Sequence, residues 1–276
     1  MAEGRMTEAL TTETLAEAPA EEASGREALF SVKDLVKIFP NGCRALGGVT
    51  LDIYRGECLL IAGSNGSGKT LLMRLLLGLS DPSAGEIRFR GLPLDRCAAA
   101  LRREVGMVFQ DADAQIIGET VAEDTAFGPK NLGLSGEALG NRVSAALEAV
   151  GLEGKGDFAP RRLSGGEKRR LAVAGVLAMG CETVILDEPF ANLDWPGVVQ
   201  VLRLIRDLKQ GRKTLVILTH ELEKVLAFAD RLVILDRGLI RDQGGSEEVL
   251  NRLRGEYGVR DPRRSYRRVE DCTWLD

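Results

Sequence analysis

The chain lacks most of what a membrane span, a disulfide scaffold or a nucleic-acid surface would need. No apolar run approaches the ~18–20 residues required to cross a bilayer. The best stretches, around Leu71 to Leu79 and Thr214 to Leu218, are far too short. The five cysteines (Cys43, Cys58, Cys97, Cys181 and Cys272) form an odd, dispersed set. Such a set argues against a disulfide framework or a zinc site and for reduced thiols in the cytosol. Net charge is −4, so no basic excess invites nucleic acid. Aromatics make up only 5% of the chain and point to an aliphatic core. No internal repeat is visible, and His220 is the single histidine.

What is present changes character near Leu29. Residues 1–28 carry Glu3, Glu8, Glu13, Glu17, Glu21, Glu22 and Glu27 among alanine and threonine. They bury too little to offset their ordering entropy, which predicts a disordered acidic extension. The stretch has neither the basic start nor the apolar centre of a secretory signal. Beyond it, β-prone runs recur at Leu29–Lys33, Val49–Ile53, Glu57–Ala62, Glu86–Arg90, Val105–Phe109, Thr183–Asp187, Lys213–Thr219 and Arg231–Leu235. The first few alternate in part, as in an antiparallel sheet with one wet face. The runs at Cys58, Thr183 and Lys213 are almost continuously apolar, as parallel strands covered on both faces are.

Helical periods lie between these runs. Ser135 is placed to cap a helix with Leu139, Val143, Leu147 and Val150 on one face, ended by Gly151. Pro196 opens another, ahead of Val199, Leu202, Ile205 and Leu208. The alternation predicts an α/β fold. Residues 110–163 show helices and no clear strand, which predicts a helical subdomain within a main domain of 29–245. After Asp236 the pattern thins towards a short helical and basic tail at 246–276, with Arg252, Arg254, Arg260, Arg263, Arg264, Arg267 and Arg268. An exposed solvated tail and one drawn to anionic headgroups both fit that composition.

Two motifs carry phosphate chemistry. Gly63-Ser64-Asn65-Gly66-Ser67-Gly68-Lys69-Thr70 fits the P-loop pattern between an apolar strand and an apolar helix. Glycines let successive N–H groups point inwards at phosphates, Lys69 reaches the β- and γ-phosphates, and the Thr70 hydroxyl ligates Mg²⁺. Further on, the strand Val184-Ile185-Leu186 ends in Asp187 and Glu188. Two acids closing a buried strand would be costly without partners. Asp187 is the candidate for Mg²⁺ and Glu188 for the water that attacks the γ-phosphate. Together the motifs indicate a nucleoside triphosphatase.

Leu163-Ser164-Gly165-Gly166-Glu167-Lys168-Arg169-Arg170, just upstream of the acidic strand, resembles the signature motif of ABC ATPases. Physically it is also a capping box, Ser164 with Glu167 three residues on. The family's other landmarks fall in order: Gln110 where the Q-loop glutamine stands, Asn192-Leu193-Asp194 at the D-loop and His220 at the switch histidine. Phe39 is similar to the aromatic that stacks on adenine, although a buried β residue there is equally consistent. The resemblance covers Leu29 to Gly245. It implies a P-loop ABC ATPase fold with an antiparallel β subdomain and an inserted helical one. It further implies a head-to-tail dimer, with a homodimer and a heterodimer both open, that sandwiches ATP with Mg²⁺.

By the same resemblance, Gly63–Thr70, Gln110, Asp187, Glu188 and His220 serve one site. Gln110 joins Thr70 and Asp187 near the metal, Glu188 acts as base, and His220 contacts the γ-phosphate. Ser164, Gly165, Gly166 and Asp194 belong to the shared interface. Phe190-Ala191-Asn192 departs from the small polar residues common in relatives.

The blocks Phe109–Ile117 and Thr120–Pro129 resemble energy-coupling-factor ATPases, which power vitamin or cobalt and nickel uptake. That likeness implies a transmembrane coupling protein docking near Ile116, Ile117, Val121 and Phe127, a membrane substrate-binding subunit, and a peripheral place on the cytoplasmic face. These four side chains also suit simple core packing. Other ABC transporter branches are the alternative. Ribosome- or DNA-acting ABC ATPases fit less well, because there is one P-loop, one signature and no sustained heptad run. A P-loop small-molecule kinase leaves the signature and His220 unused. Removing the Lys69 ammonium removes a phosphate contact, so Lys69→Ala should lower ATP turnover by roughly 100-fold or more, measured as phosphate release.

Overall fold

The computed structural model of the protein describes residues 26–263. The expected acidic extension therefore lies almost wholly outside the described residues, as do Arg264, Arg267, Arg268 and Cys272. Strands β1 (Ala28–Ile38), β2 (Arg44–Tyr54), β4 (Ala84–Phe89) and the short β5 (Leu92–Pro93) form an antiparallel sheet in the order β2-β1-β4-β5. Its inner face presents Phe30, Val32 and Leu35, and the Phe30 and Phe89 rings lie 5.0 Å apart.

The second sheet holds β3 (Cys58–Ala62), β6 (Val105–Val108), β7 (Thr183–Asp187), β8 (Thr214–Thr219), β9 (Arg231–Asp236) and β10 (Leu239–Gly245). Its order is β10-β9-β3-β8-β7-β6, parallel except for the β9–β10 hairpin.

Every residue of β3, β6, β7 and β8 is buried, because both faces of this sheet are covered. Leu59 and Ile61 of β3 face the antiparallel sheet and α1 (Lys69–Leu76), through Leu72, Met73, Leu75 and Leu76. Cys58, Leu60 and Ala62 face the opposite core, with α5 (Gly165–Ala178) and α6 (Trp195–Gln210). The period-two alternation survives inside an unbroken apolar run, as two-sided burial dictates. Burial also pushes the thiols of Cys58, to about 12, and Cys181, to about 11, well above the ordinary range. Four described cysteines, at 43, 58, 97 and 181, are free.

Some local expectations need correction. The Val105 run joins the buried parallel sheet rather than the antiparallel one; Gly106 admits Val176 of α5 so closely that an added Cβ would meet its Cγ1 at 2.3 Å. The chain beyond Asp236 is more ordered than its thin pattern suggests. It makes β10 and α8 (Ser246–Arg252), joined by a two-pronged Arg252–Asp242 ion pair at 2.9 Å. Helix α2 (Leu94–Glu104) buries only Cys97 and Leu101, too sparse a stripe to read in advance. Residues 110–163 contain α3 (Val121–Asn131) and α4 (Gly136–Ala149), and α5 packs against both. Ser135 precedes α4 without a side-chain cap, whereas Thr120 closes a full capping box on α3.

The two sheets are joined at the β9–β10 turn. Gly238 has φ +75°, its carbonyl accepts from the Gly47 amide at 2.9 Å, and an added Cβ would lie 2.3 Å from the Ala45 carbonyl oxygen. Backbone against backbone cannot yield as a flexible side chain can. Gly238→Ala should therefore cost about 2 kcal/mol or more and lower the Tm by roughly 5 °C in a thermal melt.

Candidate functional site

The site forms where β3, β7 and β8 end on the same side of the sheet. The turn after β3 coils through Gly66 at φ +82° and Gly68 at φ +107° into the N-terminus of α1. Gly63 is sterically required, since a Cβ there would stand 2.1 Å from the Leu235 carbonyl oxygen. Gly68 leans on β2, with Leu46 Cδ2 at 2.8 Å from a notional Cβ. The loop Gly63, Ser64, Asn65, Gly66, Ser67 and Gly68 thereby forms a concave run of backbone ahead of a helix N-terminus, an anion cradle.

Lys69 is 6% exposed and donates to its own loop, to the Gly63 carbonyl at 2.6 Å and the Ser64 carbonyl at 3.2 Å. Its Nζ also lies 3.4 Å from Glu188 Oε1. Across the sheet, the Thr70 hydroxyl donates to Asp187 Oδ2 at 2.7 Å. His220, at the end of β8, places Nδ1 3.0 Å from Glu188 Oε2. The structure thus brings Lys69, Thr70, Asp187, Glu188 and His220 into one cluster.

Asp187 and Glu188 are 2% and 4% exposed. Burial holds the Asp187 carboxyl above its ordinary range; the Thr70 hydrogen bond opposes this and the neighbouring Glu188 charge adds to it. Asp187 Oδ1, Glu188 Oε1 and Ser67 Oγ are buried without a hydrogen-bond partner among the described residues. Such atoms are expensive to leave unmatched. The Thr70 hydroxyl and the unmatched Asp187 oxygen suit a hard cation such as Mg²⁺. No group of three or more His, Cys, Asp or Glu among the described residues makes a closed metal cage. A cation here would draw its remaining ligands from phosphate and water.

Glu188 also carries backbone strain. Its φ is +46°, a left-handed conformation that costs a residue with a side chain roughly 1–2 kcal/mol. Its N–H donates to the Leu218 carbonyl at 2.8 Å, and its carbonyl accepts from the Ala191 N–H at 3.1 Å and from Arg169 Nη1. Arg169 was not singled out by the motifs. The available signal was a pair of arginines, 169 and 170, in a helix otherwise buried nearly all round. Burial pulls both guanidinium pKa values below their ordinary range; for Arg169, the charges of Asp187, Glu188 and Asp111 oppose this. Arg170 donates to the carbonyls of Val150 and Gly151 behind α4.

Six sequence candidates stand apart from that cluster. Ser164 caps α5 in a reciprocal box with Glu167, at 3.3 and 2.8 Å. Hydrogen bonding, chiefly from Lys155, holds the Glu167 carboxyl below its ordinary range. The near neighbours of Gly165 and Gly166 are Asn192, Leu193 and Gly197, not the cradle. Asp194 caps α6, accepting from the Gly197 N–H at 3.0 Å. Two helix N-termini therefore open side by side on an exposed surface, with Trp195 77% exposed beside them. Gln110 lies two residues past the end of β6, exposed, with its carbonyl bonded to Arg169 at 2.8 Å. Phe39 follows β1 and is 40% exposed, which removes the reading as a buried β residue.

Residues 46–191 match the family model described as "ABC transporter". The chain belongs to the ABC transporter ATPases: it binds ATP and hydrolyses it. It is 42% identical over 234 residues to a putative ABC transporter ATP-binding protein of Halobacterium salinarum, covering 85% of this chain and 100% of the relative. It is 39% identical over 226 residues to the energy-coupling factor transporter ATP-binding protein EcfA of Methanocaldococcus jannaschii, covering 81% of each.

Among solved structures it resembles CbiO1 of Clostridium perfringens, described as part of the ABC transporter complex CbiONQ. The TM-score is 0.75 and the identity 35%, over 82% of this chain and 91% of that one. Within its family the chain is thus an ATP-binding subunit of the energy-coupling-factor type. No described helix is long and apolar enough to cross a membrane.

The raised Asp187 pKa has a stability consequence. A carboxyl with a folded pKa above its unfolded value favours folding most when protonated, and that advantage fades as pH rises through the folded pKa. At neutral pH the ionised group is a liability without a cation. Asp187→Asn should therefore raise the Tm of the nucleotide-free protein by a few degrees, on the order of 1 kcal/mol. The gain should vanish in melts run below the ordinary aspartate range.

Proposed function

We propose that this chain is one of two ATPase subunits in an importer of the energy-coupling-factor type, for a vitamin or for cobalt or nickel ions. The carrying observation is that the site is divided. Lys69, Thr70, Asp187, Glu188 and His220 converge on the cradle, while the signature residues Ser164, Gly165 and Gly166 open elsewhere on the surface. A second copy or a close relative, placed head to tail, brings each signature onto the other's cradle, and two ATP molecules lie between.

In this reading the cradle N–H groups and Lys69 hold the β- and γ-phosphates. Thr70 and Asp187 would hold Mg²⁺, with Gln110 as a further candidate; when bound, the ion would supply positive charge to the phosphate oxygens. Glu188 accepts the proton of the attacking water as the new P–O bond forms and the bond to ADP breaks. His220 steadies the γ-phosphate and orients the Glu188 carboxylate. Ser164, Gly165 and Gly166 offer a hydroxyl and N–H groups to the partner's nucleotide, Asp194 borders that interface, and Phe39 stacks on the adenine. Closure replaces water by fixed donors around spreading charge, the usual basis of phosphoryl transfer.

The membrane side is proposed from exposed apolar groups. Ile117 and Phe127 are 60% and 51% exposed around α3, suited to a short helix of a transmembrane coupling protein laid into a groove. A membrane substrate-binding subunit would select the cargo, and the ATPase would sit peripherally at the cytoplasmic face. The other reading, a subunit of another ABC transporter branch, uses the same nucleotide chemistry and differs only in its membrane partners.

Glu188→Gln keeps the shape of the site and removes the proton acceptor. It should bind ATP, lower turnover by about 100-fold or more and double in mass with ATP in light scattering. Ser164→Arg introduced into that variant should abolish the doubling while nucleotide still binds. A stalled protein that stays monomeric with ATP would sink the divided-site reading.

A further inference from the structure

Arg169 has no part in the roles above, yet it lies directly behind them. It stands on α5, 5% exposed, and its planar fork reaches backbone from different segments. Nη1 donates to the Glu188 carbonyl; Nη2 donates to the Gln110 carbonyl at 2.8 Å and, at the limit of a hydrogen bond, to that of Ala191 at 3.5 Å. These carbonyls belong to the residue after β7, the segment just past β6 and the turn leading to Asp194.

We infer that Arg169 is a positioning residue for hydrolysis, fixing the backbone of Glu188 and Gln110 so that the Glu188 carboxylate is held towards the γ-phosphate. The inference rests on the reading of Glu188 as proton acceptor. Where a carboxylate points depends first on its Cα–Cβ direction, and at Glu188 that direction depends on a left-handed φ that the chain would otherwise abandon. The Leu218 carbonyl fixes the N–H side of the residue. A cation on the other side keeps the following peptide from rotating.

The residue type matters. One guanidinium presents parallel donors to two carbonyls at a set spacing, whereas a lysine ammonium is a single point of charge. Arg169 also stands one and a half turns along the helix that Ser164 opens. Any displacement of that helix end is therefore passed through a rigid element to the carbonyl of Glu188 in the same chain.

The test compares full-length Arg169→Met, Arg169→Lys and Glu188→Gln with the unaltered protein. Binding is read with a fluorescent ATP analogue, turnover by phosphate release, folding by thermal melt and assembly by light scattering. Arg169→Met should bind nucleotide within about twofold of normal and hydrolyse it about 10- to 100-fold more slowly, the scale expected when a reacting group is displaced by an ångström. It should also accumulate the ATP-dependent dimer, and Arg169→Lys should recover part of kcat.

Normal kcat in Arg169→Met, or a loss confined to KM, overturns the assignment. Should that variant not fold, Arg169→Gln, whose shorter side chain stays polar but lacks the guanidinium fork, is judged by the same criteria. Glu188→Gln that fails to stall sinks the Glu188 reading itself. A stalled Glu188→Gln beside a full-speed Arg169→Met sinks only the role of Arg169.

Discussion

The structure depends on burying two adjacent acids at the tip of a fully covered strand. Asp187 and Glu188 are nearly inaccessible, and isolated carboxylates in such a place would protonate or unfold their surroundings. They persist because each meets a group from another element: Thr70 for Asp187, Lys69 and His220 for Glu188. The matching is incomplete: Asp187 Oδ1 has no hydrogen-bond partner, and Glu188 Oε1 has only the Lys69 ion pair at 3.4 Å. The unmatched Asp187 oxygen, beside the Thr70 hydroxyl, is where a hard cation would find a ligand. The fold is thus stable enough to exist without its substrate and strained enough to favour binding it.

The rest of the architecture serves that arrangement. Two-sided burial makes the parallel sheet rigid, so the ends of β3, β7 and β8 hold fixed relative positions. The β7–β8 register sets Asp187 opposite Leu218, which brings the Leu218 carbonyl to the Glu188 amide. The other face of the sheet anchors α5, through contacts as tight as Gly106 with Val176. The helix carrying Ser164 and the strand carrying Asp187 therefore share one core.

Much of this was legible in the sequence because local chemistry and global position agree. The cradle demands glycine at Gly63 and Gly68 for reasons of space and backbone angle, so its motif survives in any reading. The all-apolar runs at β3, β7 and β8 announce burial on both faces. The parallel membership of β6 was harder, since a four-residue apolar strand does not reveal its neighbours. β10 was invisible because it sits at the sheet edge with Arg241 and Asp242 in its midst, held by ion pairs rather than by an apolar stripe. Arg169 escaped notice because its partners are backbone carbonyls, which carry no residue type to recognise. The capping box at Ser164 was readable as local structure; that its two glycines face Asn192, Leu193 and Gly197 is a tertiary fact.

The Gly238 turn has one more consequence. It ties β2 to the nucleotide sheet through a main-chain hydrogen bond, and Gly68 packs against the same two residues of that strand, Ala45 and Leu46. The antiparallel sheet and the phosphate loop thus share one main-chain seam. A shift of β2 would be carried into the loop without passing through any flexible side chain.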